Sequence, residues 1–248
     1  MSMSDHPVVT REQWLEARQQ HLIHEKAFTR HRDQLSAERR ALPWVLIDKP
    51  YRFQGPQGTL GLVDLFGGRS QLVVYHFMFG AGWEKGCKGC SFLADHFDGA
   101  NLHLAHHDVA LVAVSHAPYE QFQAFRRRMG WRFDWFSSAD DDFNQDFGVS
   151  FDREQLASAT ARYNYAPVSG DEEELPGLSV FCRNEQGQIF HTYSTYARGL
   201  DLLVGAYNFL DLTPKGRNEA PIMNWVRHHD RYAHTSNNQT GPGCCSKD

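Results

Sequence analysis

Cys87 and Cys90, in Gly86-Cys87-Lys88-Gly89-Cys90-Ser91, are the residues whose types and spacing most directly suggest chemistry. Upstream lies the apolar run Gln71 to Phe79, which reads as a buried strand. Downstream, Phe92, Leu93, Phe97 and Ala100 recur at helical spacing. The pair is expected where a strand passes through a Gly-rich loop into the first turn of a helix. Backbone N–H groups there lack intrahelical partners and the helix dipole is positive, so a thiolate is favoured over a thiol. A first cysteine so placed attacks disulfides, and a second one turn along resolves the mixed disulfide. Cys87 is the expected nucleophile and Cys90 the expected resolving thiol of a thiol–disulfide oxidoreductase. Its partner would be a protein or small-molecule disulfide or thiol, and the chemistry calls for no cofactor. Trp83 is a candidate for the approach surface beside the dithiol, with a core tryptophan as the competing reading.

Other chemistries compete for the same pair. Two thiolates and a histidine, with His191 as the candidate, would hold copper in a metal carrier. Structural zinc, by contrast, needs four ligands and no second such pair exists in the folded region. A peroxide reductase of the peroxiredoxin type would place a Pro and a Thr or Ser shortly before its cysteine. Gly80 to Gly86 contains neither, and Arg126, Arg183 and Arg198 are the candidates to steady its thiolate. A non-catalytic binding module with a vestigial dithiol is the remaining alternative. The favoured reading has no metal site. His191, Tyr193 and Tyr196 would line a pocket beside the dithiol or else form a packed aromatic cluster. Asp140-Asp141-Asp142 reads as a solvated loop or helix cap, since adjacent carboxylates do not converge on a cation in a regular element. No dinucleotide fingerprint, phosphate loop or nucleophile elbow occurs.

The 248 residues include 17 Phe and 6 Trp, enough for a sizeable core. With 25 basic and 30 acidic residues the formal charge is −5, and the one basic cluster, Arg126-Arg127-Arg128, reads as a helix face. Nucleic acid is disfavoured as a partner. The N-terminus lacks the pattern of a signal peptide, and no apolar stretch approaches the ~18–20 residues of a membrane span, so a cytoplasmic location is expected. Five cysteines are too few and odd in number for a disulfide scaffold. Cys182 reads as an inert thiol in a strand. Cys244 and Cys245 lie in a Gly/Pro/Asn-rich tail, and Ser246-Lys247-Asp248 makes a poor prenylation signal.

Stepping outward to the elements, Thr10 and Gln13 resemble a capping box opening a helix to about Arg40. Its apolar residues, from Trp14 to Phe28, predict packing on the main body or on a second subunit in a homo-oligomer. Short strands follow at Trp44 to Ile47, Tyr51 to Phe53 and Thr59 to Phe66, then the Gln71 strand, with Asp98-Gly99 breaking the dithiol helix. Asp108 to Ser115 predicts a buried strand, Pro118 to Gly130 a helix and Phe133 to Phe136 a strand. Asp152 to Tyr163 predicts a helix, Leu178 to Arg183 and Gln188 to Thr192 a hairpin, and Leu200 to Tyr207 a further helix. One more short helix is expected between Pro221 and Tyr232. The order predicts an α/β fold: a thioredoxin-like mixed sheet with helices on both faces, an N-terminal helical extension and an insertion before the last β-hairpin. The expected organisation is an extension over 1–42, one domain over 43–234 and a flexible tail over 235–248.

Several stretches together resemble the bacterial thioredoxin-like family catalogued as domain of unknown function 899. They are Cys87 to Phe97, Val109 to Ser115, Met129 to Phe133, Asp142-Phe143-Asn144, Phe147 to Phe151, Gly177 to Phe181, His191 to Gly199 and Leu210 to Pro214. The resemblance implies the fold and supplies no activity. Relatives often carry Pro-Ser between the cysteines, where this chain has Lys88-Gly89. Thioredoxin-like folds usually set a cis-proline opposite the dithiol, and Pro176 is the candidate for it.

Overall fold

The computed structural model describes residues 6–232. Helix α1 (Arg11–Arg40) opens on Thr10, whose hydroxyl accepts the Gln13 N–H while the Gln13 side chain accepts the Thr10 N–H. Then come β1 (Val45–Ile47), β2 (Arg52–Gly55), β3 (Gly58–Gly61), α2 (Leu62–Leu65), β4 (Gln71–His76), α3 (Lys88–Ala94) and α4 (Phe97–His106). They are followed by β5 (Val109–Ser115), α5 (Tyr119–Met129), β6 (Trp135–Ser137), α6 (Phe143–Asp146) and α7 (Arg153–Ala157). The chain continues with β7 (Arg162–Tyr163), β8 (Ala166–Pro167), β9 (Gly177–Arg183), β10 (Ile189–Tyr196), a 3-10 stretch (Ala197–Leu203) and α8 (Gly205–Leu210).

Eight strands form one mixed sheet in the order β1-β10-β9-β4-β5-β6-β2-β3, and β7 and β8 make a separate ribbon. β4, β5 and β6 run parallel, while β9 and β10 are antiparallel to their neighbours. With the dithiol following β4, this is the thioredoxin-like arrangement, and residues 138–176 form the insertion before the β9–β10 hairpin. The period-2 pattern of the central strands divides the core. Leu72 and Val74 of β4 join Ala110, Val112 and Val114 of β5 on one face, against α2 and α6 residues. Tyr75 and the following Phe77 join Leu111 and Ala113 on the other, against α3 and α5.

Several elements differ from their sequence expectation. Leu62 to Phe66 is not strand: the Asp64 carboxylate accepts the Gly61 N–H at 2.8 Å and starts a helical turn. The break after the dithiol falls at Asp95–His96 rather than Asp98-Gly99, because Asp98 is used to accept the Arg132 and Phe133 N–H groups. The helix expected to reach Tyr163 stops at Ala157, and the chain turns back as the β7–β8 ribbon. Between Pro221 and Tyr232 only a 3-10 turn, His229–Arg231, is regular. No residue of α1 is buried, and Trp14, Leu15, Leu22, Ile23 and Phe28 are exposed, so its apolar face does not pack on the body as expected. Contact with the body includes Arg39 stacked over the Tyr193 ring at 4.9 Å. Among the described residues no helix is long and apolar enough to cross a membrane.

A polar chain runs across β4, β9 and β10 on the face that Phe143, Phe147 and Phe181 cover. His76 Nδ1 lies 3.3 Å from Asn144 Oδ1 and its Nε2 lies 2.9 Å from Ser179 Oγ. Ser179 Oγ meets Ser194 Oγ at 2.8 Å, and Ser194 Oγ meets His191 Nε2 at 2.8 Å. Serine, histidine and asparagine in this series match the order of a nucleophile relay. Ser179 is 0 % exposed and His76 1 %, so the chain serves to satisfy buried polar atoms across β4, β9 and β10.

Burial lowers the His76 pKa to about 4 from the ordinary 6.5, so the folded protein keeps the ring neutral where the unfolded chain protonates it. The folded state then binds fewer protons, and stability is greatest above pH 6.5 and is lost as pH falls toward 4. At 1.36 kcal/mol per unit the full loss is on the order of 3 kcal/mol. Urea midpoints measured across that window should fall more steeply for the native chain than for His76→Leu. That variant should also be less stable at neutral pH by about 1–3 kcal/mol, for the polar partners left behind.

Candidate active site

The dithiol loop is fixed by the strands before it is fixed by its own sequence. After β4 the Phe77 N–H donates to the Val114 carbonyl, and the Ala117 N–H donates to the Phe79 carbonyl. The Cys87 N–H returns to the Met78 carbonyl at 3.2 Å, closing the loop. Gly86 is required by this path, since a Cβ there would lie 2.5 Å from the Phe77 ring. Gln121 of α5 holds the remainder: its amide donates to the Gly80 and Trp83 carbonyls and accepts the Gly82 N–H. No sequence signal singled out Gln121. Trp83 folds back over Gly80, whose hypothetical Cβ would lie 2.9 Å from the indole nitrogen. It packs partly buried against the core and does not line the cavity at the dithiol.

Cys87 is the residue before α3 and is half-buried, while Cys90 is 2 % exposed; both are free thiols. The Ser91 N–H and hydroxyl both donate to the Cys87 carbonyl, fastening the first turn. The pKa of Cys87 is lowered to about 6 from the ordinary 9, first by the Cys90 thiol. Burial opposes that shift, the amides of Cys90 and Gly89 reinforce it, and the charge of Glu172 opposes it. Burial pushes the Cys90 pKa well up, and the neighbouring Cys87 raises it further. One sulfur of the pair is thus ready to ionise while the other keeps its proton.

A cavity of about 150 Å³ opens at this pair, lined by Tyr75, Met78, Cys87, Cys90, Pro176 and Met223 among others. Pro176 therefore lines the same cavity as the dithiol. Its peptide bond is trans, however; the cis bond among the described residues is Ala220–Pro221. The segment before Pro176 runs extended, with Glu174 bridged to Ser150 and the Leu175 N–H donating to the Val149 carbonyl, a path that a trans bond fits.

The C-terminal strap, residues 217–231, was the part least legible in the sequence. Glu219 accepts from the Tyr207 hydroxyl, the Met223 N–H and the Trp225 indole, at 2.9–3.2 Å. This turn sets Met223 over the dithiol: a Cβ on Gly89 would lie 3.0 Å from its Sδ and 3.8 Å from Cys87 Sγ. Gly89 therefore makes room for the strap. Further along, His228 Nε2 meets the Gly86 carbonyl at 3.0 Å, and Arg128 grips Asp230 through two bonds of 2.8 Å.

Other candidates do not converge. His191 lies on the opposite side of the sheet, against Phe147 and Phe181, so Cys87, Cys90 and His191 form no copper set. Nor do His191, Tyr193 and Tyr196 share a pocket, for Tyr196 packs on Tyr163 and Tyr165. Among the described residues no three His, Cys, Asp or Glu side chains gather as metal ligands. Of the three arginines, Arg126 donates to the Arg132 and Phe133 carbonyls, Arg183 lies over Phe66 and Arg198 pairs with Asp201; none lines the dithiol cavity. Asp142 and Asp146 hold Lys49, and Asp141 accepts the Arg52 N–H, so the acidic run ties β2 to the body. Cys244 and Cys245 lie outside the described residues.

Comparison with known proteins places these features in context. The family described as "Bacterial protein of unknown function (DUF899)" matches residues 3–232. No curated protein matches the chain. Among solved structures, peroxidoxin BcpB from Mycobacterium tuberculosis is similar at 13% identity and TM-score 0.43, over 66% of this chain and 94% of its own. Peroxiredoxin Q from Xanthomonas campestris is similar at 14% and 0.43, over 66% and 95%. A putative thiol:disulfide interchange protein DsbE from Chlorobium tepidum gives 13% and 0.38, over 64% and 92%.

Alkylation of the reduced protein by iodoacetamide tests this geometry. Cys87 should react first, with a midpoint near pH 6, and Cys90 should stay unmodified in the folded state. Cys90→Ala should move the Cys87 midpoint upward, because it removes the largest stabiliser of the thiolate. Met223→Ala should speed Cys87 alkylation without moving that midpoint.

Proposed function

The chain belongs to the DUF899 family, and from that premise we propose that it is a dithiol–disulfide oxidoreductase worked by Cys87 and Cys90. The observation that carries this reading is the asymmetry of the two sulfurs. Cys87 is half-buried with a depressed pKa, and Cys90 is one turn along, buried and protonated. A thiolate is the nucleophile in disulfide exchange, and a sulfur with a pKa near ambient pH combines ionisation with reactivity.

In the forward direction the Cys87 thiolate attacks one sulfur of a disulfide. The substrate S–S bond breaks, a mixed disulfide forms on Cys87 and one thiolate leaves. Cys90 then loses its proton and attacks Cys87 Sγ, releasing the second thiolate and closing the protein disulfide. Two electrons pass from the protein to the substrate. Cys90 sits one turn along the same helix, so its attack falls on the Cys87 sulfur and expels the substrate thiolate. Tyr75 lines the cavity next to Cys90, where its hydroxyl stays protonated because burial raises its pKa. A reducing compartment such as the cytoplasm suits a dithiol that must begin reduced.

Reduction of a model disulfide under single-turnover conditions tests the assignment. Cys87→Ser should abolish the reaction. Cys90→Ser should still attack and should accumulate the mixed disulfide on Cys87, visible by mass spectrometry as one retained half of the reagent. A Cys87→Ser protein with unchanged rate would sink the reading. Consumption of a hydroperoxide faster than of any disulfide would replace it with the peroxidase chemistry.

A further inference from the structure

A second cavity, of about 520 Å³, lies against the same loop. Lys85, Lys88, Arg128, Arg227, His228 and Arg231 line it with Gly86, and no carboxylate is part of that lining among the described residues. Asp230 neutralises Arg128, and Arg227 donates to the Asn224 and Val226 carbonyls. Lys85, Lys88 and Arg231 make no ion pair among the described residues. The positive field reaches His228: burial lowers its pKa, and the charges of Arg128 and Lys85 lower it further, against the Gly86 carbonyl and Asp230.

The two cavities are interleaved along one turn of chain. Gly86 and Lys88 face the basic cavity, whereas Cys87 and Gly89 face the apolar one. The strap divides in the same way, with Met223 over the sulfur and Arg227, His228 and Arg231 on the basic side. A molecule whose sulfur meets Cys87 lies beside the segment Lys85 to Lys88, which carries two of these uncompensated cations into the neighbouring cavity. The space at the sulfur is small and covered, which suits a slender ligand better than the rigid surface of a folded protein.

We propose that the basic cavity holds the anionic group of a low-molecular-weight disulfide whose sulfur is presented to Cys87. The substrate class is then a small disulfide carrying carboxylate, sulfonate or phosphate groups. This rests on the dithiol reading and sharpens it. The anion docks on Lys85, Lys88 and Arg231, and Cys87 attacks the nearer sulfur. The S–S bond breaks, an anionic thiolate leaves, and Cys90 releases the second as the protein disulfide closes. The reduced protein itself supplies both electrons.

Three disulfides of similar size separate the possibilities: dithiodiglycolate (anionic), 2-hydroxyethyl disulfide (neutral) and cystamine (cationic). Each is mixed with reduced protein, and its rate is divided by its rate with dithiothreitol to remove intrinsic reactivity. At low ionic strength the normalised rates should fall in the order anionic, neutral, cationic. The first step should be about tenfold, the low end of what a focused field contributes to encounter. The preference should shrink at about 0.5 M salt, where the Debye length falls to about 4 Å. It should also shrink in the double variant Lys85→Gln/Arg231→Gln, whose exposed sites should leave the thermal midpoint in place. Inorganic phosphate should reduce the anionic-to-neutral ratio in the native protein. Equal normalised rates, or a cationic preference, would overturn the proposal while leaving the dithiol chemistry standing. Failure of all three disulfides to oxidise the protein would remove the dithiol reading itself.

Discussion

A half-buried negative charge is the constraint from which the rest of the site follows. Burial alone would hold Cys87 as a thiol, because desolvation disfavours the ionised form. The shift goes the other way only because a second sulfur and two amides sit where the charge develops. That placement depends on the first turn of α3, which depends on the Cys87 N–H reaching back to Met78. Its register is set by β4 between β5 and β9, six paired residues on each side. The dithiol site is therefore a property of the central sheet, delivered through one short loop.

The charged residue inside the motif has a different part from the one its chemistry suggests. Lysine between two cysteines should favour a thiolate, yet the groups that lower Cys87 are the Cys90 thiol and the amides of Cys90 and Gly89. Lys88 is exposed and lines the basic cavity instead. Gly89 is explained by the thioether of Met223 packed above it. The dipeptide between the cysteines thus divides its work, one residue facing charge and the other leaving space.

Much of the fold was legible from local pattern. The continuous apolar runs in Gln71 to His76 and Val109 to Ser115 read as strands buried on both faces, which is where the structure puts them. Gly130, at φ 67°, ends α5 where its type demanded. What stayed hidden was decided by tertiary context. Leu62 to Phe66 has strand composition but follows a glycine capped by Asp64. His191 looked available as a ligand, but the bulge between His191 and Tyr193 belongs to a strand whose His191 faces the Phe147 side of the sheet. The strap holds a 3-10 turn where a short helix is expected, because its order comes from Glu219, Arg217 and Arg128 meeting partners elsewhere, which no local pattern encodes.

The composition of that strap bears on how a substrate reaches the sulfur. From Arg217 to Arg231 only Val226 and His228 are buried, so little apolar area holds the segment down. Its anchors are ion pairs of Arg217 with Asp201 and Asp211 and of Arg128 with Asp230, together with the Glu219 hub. Partly exposed pairs of this kind contribute little each, so local opening there costs far less than unfolding the sheet beneath. One further anchor reaches the dithiol loop itself, where His228 meets the Gly86 carbonyl one residue before Cys87. The loop that holds the cysteines and the strap that covers them are therefore coupled, through His228 on the Gly86 carbonyl and Met223 over Gly89.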